Sequence, residues 1–420
     1  SVNKYFPIMK FFAWAIAILS VNQIIWQTPN LPQMVYYAIF LLIAIVMVFY
    51  HPNIKINVCM LFFIMAIVCS IFVNYIPDYF MPWDRFFSFL MVILCVSPFL
   101  YNSGLTIFRK EIFDKVNILF VIIVIVSFLG YLAGVYSTAD FSGFRGCTSQ
   151  SMLLSPIAAL TSLFCLHKAF CPEISKKEKY LFLGMMAIAF LMCLLAGSRA
   201  SLAGGIVGIL YYLKVRYRRN MKLFLKVLFS MLIVISVSYP LWESYLVTVA
   251  GKIERSREVG SMTTTRDALW QVRMMEFKKS PVCGIGFNYV DETILPPVYK
   301  IAAKNGVIEP GSGWLFLLSS LGIMGTIPFL LLFGKPLFRI YKKAESYSDE
   351  ILIGACLSFF AIHLIAEGYI TSSGSFLFFY LWLLISLAQI PVRKQFFIKK
   401  TANREQKQRT CSIDFAEMSR

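Results

Sequence analysis

Apolar residues run along this chain in long blocks separated by short polar stretches. Blocks read as helices crossing a bilayer, most of them about 17 residues or more, fall near 8–26, 34–50, 57–74, 83–101, 117–136, 151–170, 180–197, 200–214, 223–241, 321–338, 350–369 and 374–390. The pattern predicts about 12 transmembrane helices. The first block lacks a small-residue cleavage site and simply opens the series, so it is read as retained. One block stands apart. Tyr180 to Leu213 is a run of roughly 34 residues, a helix of about 51 Å, against a hydrocarbon core of about 30 Å. The run is predicted to be two spans folded back on each other, with Ser198 and Arg199 of Gly197-Ser198-Arg199-Ala200-Ser201 at the tip. A fixed cation there is costly unless it has anionic work to do.

Composition agrees with the pattern. The chain is 58% hydrophobic and 15% charged, which excludes a soluble domain and fits an all-α polytopic membrane protein, residues 1–420 forming one membrane domain. The net charge of +18 would suit a nucleic-acid partner, but its distribution argues against one. With the N-terminus placed inside, the basic clusters Arg109-Lys110, Lys176-Lys177 with Lys179, Lys214–Lys222 (holding Arg216, Arg218 and Arg219), Lys342-Lys343 and the tail from Arg393 to Arg409 all fall on one side. This is the positive-inside bias, with both termini cytoplasmic and residues 393–420 a basic tail held near the membrane surface. A single span over 180–213 would put Lys214–Lys222 outside; the hairpin restores it and sets Arg199 at the outer face. The chain has ten cysteines. Six lie in spans (Cys59, Cys69, Cys95, Cys165, Cys193, Cys356) and two on the inner side (Cys171, Cys411), with no CxxC spacing, so neither a metal site nor a disulfide framework is expected. Only Cys147 and Cys283 fall on the outer side, which leaves a bridge between them open.

Outer loops are short except one of about 70 residues, Trp242 to Ser312. Within it Thr263-Thr264-Thr265 offers an N-cap to a helix running from Arg266 through Phe277 and stopped by Ser280-Pro281. Arg266, Trp270 and Arg273 fall on one face of that helix. Arg266 also sits in the first turn, where a cation opposes the helix dipole. After Pro281, Gly284-Ile285-Gly286-Phe287 reads as a turn with close backbone approach. A second helix follows Glu309-Pro310-Gly311-Ser312 and enters the tenth span through Gly322 and Gly325. Arg145 in Ser142-Gly143-Phe144-Arg145-Gly146 adds a third basic outer segment. Guanidinium forks pair bidentately with phosphate and stay charged when partly desolvated, so Arg145, Arg199, Arg266 and Arg273 form a candidate site for a phosphate or diphosphate. The competing reading is snorkelling, or pairing with Asp267 and Glu276. Trp83, Trp242, Trp270 and Trp314 lie near outer boundaries, where an interfacial belt accounts for most of them and Trp270 could face a sugar. Arg85 beside Asp84 reads as an internal ion pair.

The glycine-serine-arginine turn before a span, Arg266-Asp267-Ala268-Leu269-Trp270, Ser280-Pro281 and Gly284-Ile285-Gly286-Phe287 in one long loop, then Trp314-Leu315 and Gly322-Ile323-Met324-Gly325, together resemble the bacterial O-antigen ligase and O-antigen polymerase (Wzy-type) superfamily over roughly 185–335. The resemblance implies metal-independent glycosyl transfer outside the inner membrane, without a cofactor, from a glycan on a polyprenyl diphosphate. It also implies that Arg199 and Arg266 hold that diphosphate. One position departs. A histidine that the family often carries eleven residues before the first glycine of the Gly-Ile-Met-Gly step is Gly311 here. That residue is associated with ligases, so its loss shifts the reading toward a repeat-unit polymerase and leaves the base open. Candidates are His363 and Glu367, expected at i and i+4 on one face of the eleventh span, and Glu309.

The chain is thus expected to polymerise lipid-linked oligosaccharide repeat units, for O-antigen, capsule or exopolysaccharide, at the periplasmic face of the bacterial inner membrane. Its partners would be those substrates, membrane lipid and a chain-length regulator. The alternatives are ligation of a finished glycan to lipid A core or protein, and a transporter or flippase, which would show broken helices and two related halves. Gly204-Gly205 falls in the eighth span, with no matching interruption in another half, which argues against the transporter.

Overall fold

The computed structural model describes residues 6–50, 53–136, 143–258 and 264–390. The basic tail 393–420 with Cys411, the capping residue Thr263, and Ser142 lie outside the described residues.

The chain is built almost wholly of helices: α1 (Phe6–Asn22), α2 (Gln33–Tyr50), α3 (Val58–Val73), α4 (Pro82–Val96), α5 (Ser103–Leu132), α6 (Ser151–Ala169), α7 (Lys176–Ala196) and α8 (Arg199–Arg216). They continue with α9 (Met221–Val237), α10 (Tyr239–Trp242), α11 (Val247–Glu258), α12 (Thr264–Lys279), α13 (Pro297–Lys304), α14 (Gly313–Lys343), α15 (Asp349–His363) and α16 (Phe376–Gln389). The described strands are two short antiparallel ones, β1 (Lys55–Ile56) and β2 (Leu100–Tyr101), with Lys55 opposite Tyr101.

Each of the predicted spans coincides with a helix: α1 to α9, then α14, α15 and α16. Fewer satisfy the length and hydropathy needed to cross a membrane alone. Among the described residues six do so, or seven if α9 and the helical segment after it, bent by 62°, make one span. The predicted count is therefore matched in helices but not in independent crossings. For two of the others the reason is burial. Residues Phe376–Ala388 of α16 are all buried, as are Ile351–Phe360 of α15, so these short helices are covered by other helices and need not match the thickness of the lipid. At the other extreme α9 buries none of its residues and stands at the periphery.

The tertiary structure brings the basic loops together at one end of the bundle. Lys110 lies 3.2 Å from Asp349, Arg216 donates to the carbonyls of Phe170 and Ser346, and Arg218 donates to those of Tyr341 and Ala344. Arg109 is buried at this end, donating from Nε to the Cys95 carbonyl in the last turn of α4 at 3.0 Å and from Nη1 to Ser386 Oγ at 3.1 Å. A cation at the carboxyl end of a helix is favourably placed against the exposed carbonyl dipoles.

The hairpin at Arg199 is present. Gly197 ends α7 in the left-handed region (φ 75°), and the Ser198 side chain caps α8 by accepting from the Ser201 amide. α8 is continuous through Gly204 and Gly205. A Cβ at Gly204 would come within 2.8 Å of Phe359, and one at Gly208 within 3.1 Å of the Ala355 carbonyl. These glycines let α8 lie close against antiparallel α15, and they are packing positions rather than a break.

Candidate functional site

The site assembles at the end of the bundle opposite the basic loops, where α12 lies across the junction of α14 and α15. The helix runs over Thr264–Lys279 and ends at the predicted Ser280-Pro281 stop, and Arg266, Trp270 and Arg273 do share a face. That face runs along Glu309–Phe316. Arg266 donates from Nη1 to Glu309 Oε1 at 2.5 Å and from Nη2 to Glu367 Oε1 at 2.8 Å. Trp270 Nε1 donates to the Gly311 carbonyl at 3.0 Å, and the Arg273 guanidinium lies 5.6 Å from the Phe316 ring centre.

Backbone contacts place the two carboxylates on either side of Arg266. The Gly313 amide donates to both the Leu364 and the Glu367 carbonyls at 2.8 Å, and Pro310 packs against Gly368. α15 stops at His363, and although the Glu367 amide still bonds back to the His363 carbonyl at 3.1 Å, Glu367 belongs to the loop beyond the helix. The expected single helical face for His363 and Glu367 is therefore not formed. His363 turns inward: it is fully buried, stacks on Phe359 and is 2.7 Å from the Tyr369 hydroxyl through Nδ1. Glu367 turns to Arg266. Sequence reasoning named Arg266, Glu309 and Glu367 separately; the fold puts all three in contact.

Exposure divides the cluster. The side chains of Arg266 and Glu367 are each 23% exposed and that of Glu309 is 44%, whereas Arg273 and Glu276 are at 0%. A ligand can reach the first group and not the second. Burial works against the charge of Arg266, but Glu367 and then Glu309 more than offset it, and its pKa rises. Burial also lifts the Glu367 carboxyl above its ordinary value; Arg266 opposes this, and the neighbouring Glu309 charge adds to it. Two acids around one cation thus hold a carboxylate whose proton affinity has moved toward the neutral range.

Arg273 is not placed to bind a lipid-linked diphosphate. It pairs with Glu276 at 2.6 Å inside the protein, the competing arrangement that the sequence already offered. Burial pulls the guanidinium below its ordinary value despite Glu276, and pushes the Glu276 carboxyl up. The other oxygen of Glu276 accepts from the Asp291 amide at 2.8 Å, so the pair ties α12 to the following loop. Arg85 also departs from expectation: its Nη2 donates to the Gly306 carbonyl at 2.5 Å, linking the start of α4 to the loop after α13.

Gly311, where the family histidine was expected, has φ +74°, and a Cβ there would lie 2.6 Å from Leu269 Cβ. The position is closed to a side chain by both backbone geometry and the α12 surface.

Arg199 opens α8 and is half-buried. Gly208 meets Ala355 and Gly204 meets Phe359, so the next turn of this antiparallel pair sets the start of α8 level with His363, a single turn short of Glu367. Arg199 and Arg266 therefore belong to the same end of the molecule. The loop carrying Arg145 lies over the same hairpin, with the Phe144 amide donating to the Leu195 carbonyl at 3.2 Å. Arg145 itself is exposed, its guanidinium 5.1 Å from the Trp26 ring centre. Sequence reasoning missed Lys252, on a helix too polar and short to stand out. Its Nζ donates to the Gly197 carbonyl at 2.9 Å, adding a cation at the Arg199 turn.

Taken together, an all-α membrane protein with an arginine held by two carboxylates over one end of the bundle defines the class. Residues 184–330 match the Wzy_C family model, described as O-antigen ligase. The match supports the O-antigen ligase and polymerase superfamily and indicates a function of that type. It runs from α7 into α14, taking in Arg199, Arg266 and Glu309 but not Arg145, His363 or Glu367. No curated protein matches the chain.

Proposed function

We propose that this protein is a metal-independent glycosyltransferase that polymerises polyprenyl-diphosphate-linked oligosaccharide repeat units at the periplasmic face of the bacterial inner membrane. The observation that carries the reading is the Glu309–Arg266–Glu367 cluster at the Arg199 end of the bundle. Its reaction needs an anion site and a base side by side. The acceptor hydroxyl of one repeat unit attacks the anomeric carbon of the growing chain, the bond to the diphosphate breaks, and the hydroxyl proton must go to a base. Arg266 and Arg199 stabilise the charge building on the leaving diphosphate. A diphosphate arriving at Arg266 competes with the carboxylates already there, and the carboxylate it displaces is left free to take the proton. Glu367, with the raised proton affinity, is assigned that role, and Glu309 remains to hold Arg266. Trp270, its indole N–H fixed on Gly311, offers a ring edge beside the cluster for a sugar. Membrane lipid and a chain-length regulator complete the proposed partners.

The family description favours a second reading, transfer of a finished glycan to lipid A core. Reconstitution with synthetic polyprenyl-diphosphate repeat units and no other protein separates the two. A ladder of products supports polymerisation, transfer to added lipid A core supports ligation, and movement of substrate between leaflets without new glycosidic bonds overturns both.

A further inference from the structure

Two cysteines from distant parts of the chain come together beneath the long loop. Cys69 lies near the end of α3 and Cys283 in Pro281-Val282-Cys283-Gly284 after α12, and their thiols are neighbours, both free in the structure. Backbone, rather than two flexible side chains, fixes this meeting. The Ile323 and Met324 amides donate to the Pro281 and Val282 carbonyls at 2.9 and 3.1 Å, and the Ile285 amide donates to Ser319 at 2.9 Å. These bonds hold the residues on both sides of Cys283 against α14 where it kinks at Gly322, whose φ of 61° and ψ of −162° are not helical. Beside Cys69, Ser70 Oγ donates to the Ser320 carbonyl at 2.9 Å, and Asn74 Nδ2 donates to the Gly284 carbonyl at 3.1 Å. The same kink therefore anchors both cysteines. Both are half-buried, whereas Cys95, Cys165, Cys193 and Cys356 are buried in the bundle. The Cys147–Cys283 bridge left open by the sequence is not formed: Cys147 Sγ is 3.3 Å from Ser127 Oγ.

We propose that Cys69 and Cys283 form an intramolecular disulfide that staples the segment after α12 to α3. The proposal rests on the outer placement of this end of the bundle given above, since disulfides persist outside the cytoplasm and not within it. The oxidant is a reactive protein disulfide. One cysteine thiolate attacks it, giving a mixed disulfide and releasing one thiol of the oxidant. The other cysteine then displaces the second, so that two cysteines are oxidised, the oxidant leaves as a dithiol, and the two protons pass to it. The staple would fix the strip that Glu276 joins to α12 through Asp291, and so steady the helix that carries Arg266.

The test uses the full chain. Cells are quenched in acid, free thiols are blocked with N-ethylmaleimide, and the purified protein is digested for mass spectrometry. The expected result is one joined peptide pair containing Cys69 and Cys283 that disappears on reduction, with two fewer titratable thiols than the ten in the chain. In Cys283→Ser the joined pair is lost and Cys69 becomes alkylated. Reductant lowers the thermal midpoint of the unsubstituted protein by several degrees and leaves that of Cys283→Ser unmoved. Both cysteines alkylated in the quenched sample would overturn the proposal. Diamide treatment of isolated membranes then identifies which premise failed: joining under diamide shows adjacent thiols on a reducing face, and no joining shows that they are not adjacent. The product ladder of the reconstituted protein is scored separately, so failure of the staple and failure of the glycosyl-transfer reading are distinguishable.

Discussion

At the scale of single residues the central relation is between Arg266 and its two acids. An arginine paired twice in the resting protein is held in place, and a diphosphate has to outbid one glutamate to reach it. Replacing Arg266 with alanine should lower turnover by about 10²–10³-fold, the typical loss when a positioned stabiliser of the leaving charge is removed. Arg266→Lys should restore little, because a point charge cannot span both carboxylates or a diphosphate fork. Product formation by reconstituted protein of normal yield and thermal midpoint measures both, and near-normal turnover in Arg266→Ala would remove the residue from the mechanism. For Glu367 the test is pH. A base works deprotonated, so activity should fall as pH drops through its pKa, which burial has raised above the ordinary carboxylate value. The acid limb of kcat/KM should therefore lie above the usual Glu range. Glu367→Gln should flatten that limb and cost about 10²–10⁴-fold, whereas a merely structural role would lower yield and leave the limb in place. Gly311 bears on the same chemistry from the other side. Gly311→His should not supply the missing base. With φ positive and Leu269 in the way, strain of about 1–3 kcal/mol should appear as a lower thermal midpoint.

At the scale of elements, α12 is held by a buried ion pair and by a glycine-lined contact. Removing one member of a buried pair leaves an uncompensated charge and costs about 3–5 kcal/mol, while replacing both with apolar residues of similar volume is often close to neutral. Glu276→Leu should thus destabilise the long loop far more than the double replacement Arg273→Met with Glu276→Leu, as read by thermal unfolding and by protease sensitivity of the loop. Equal losses in the single and double variants would show that the pair does not act as a unit. This helix also shows what can be read from a linear chain. Its stop and the shared face of Arg266, Trp270 and Arg273 were legible, because they depend on neighbours within a few turns. The opposite fates of Arg266 and Arg273 were not legible. They depend on Glu309 and Glu367, 43 and 101 residues away from Arg266, and on Phe316 closing over Arg273. The short helices α11 and α13 were missed for a related reason, since neither carries an apolar run long enough to mark it. Gly284 was legible as a point of close approach, whereas Gly322 was read only as the entry to a span. A Cβ at Gly322 would lie 2.3 Å from the Val282 carbonyl oxygen and one at Gly284 2.3 Å from the Ser320 carbonyl oxygen, and this mutual contact is what bends α14 around the loop.

At the scale of the whole molecule, the arrangement separates two kinds of basic residue. The basic residues at the start of α7, around the α8–α9 turn and at the end of α14 gather at one end, where Arg216 and Arg218 donate to carbonyls beside α6, α14 and α15. Arg199, Lys252 and Arg266 gather at the other. The positive-inside bias assigns the first group to the cytoplasm, because short basic loops resist translocation while long loops cross regardless of charge. That assignment decides whether the Arg266 cluster meets exported lipid-linked glycans at all. It predicts that alkaline phosphatase fused after Gly306 in the long loop is active in cells, and that fusions after Glu173, Asn220 or Glu345 are inactive. Green fluorescent protein at the same four points should give the complementary pattern, fluorescent at the last three only. The reverse pattern would place the carboxylate-held arginine in the cytoplasm, where neither the proposed glycosyl transfer nor a stable Cys69–Cys283 bridge could operate. Because α8 and α15, though predicted as spans, do not satisfy the length and hydropathy needed to cross alone, the fusion after Asn220 is the most informative of the four. It reports inside only if α7 and α8 are two separate crossings joined at Arg199.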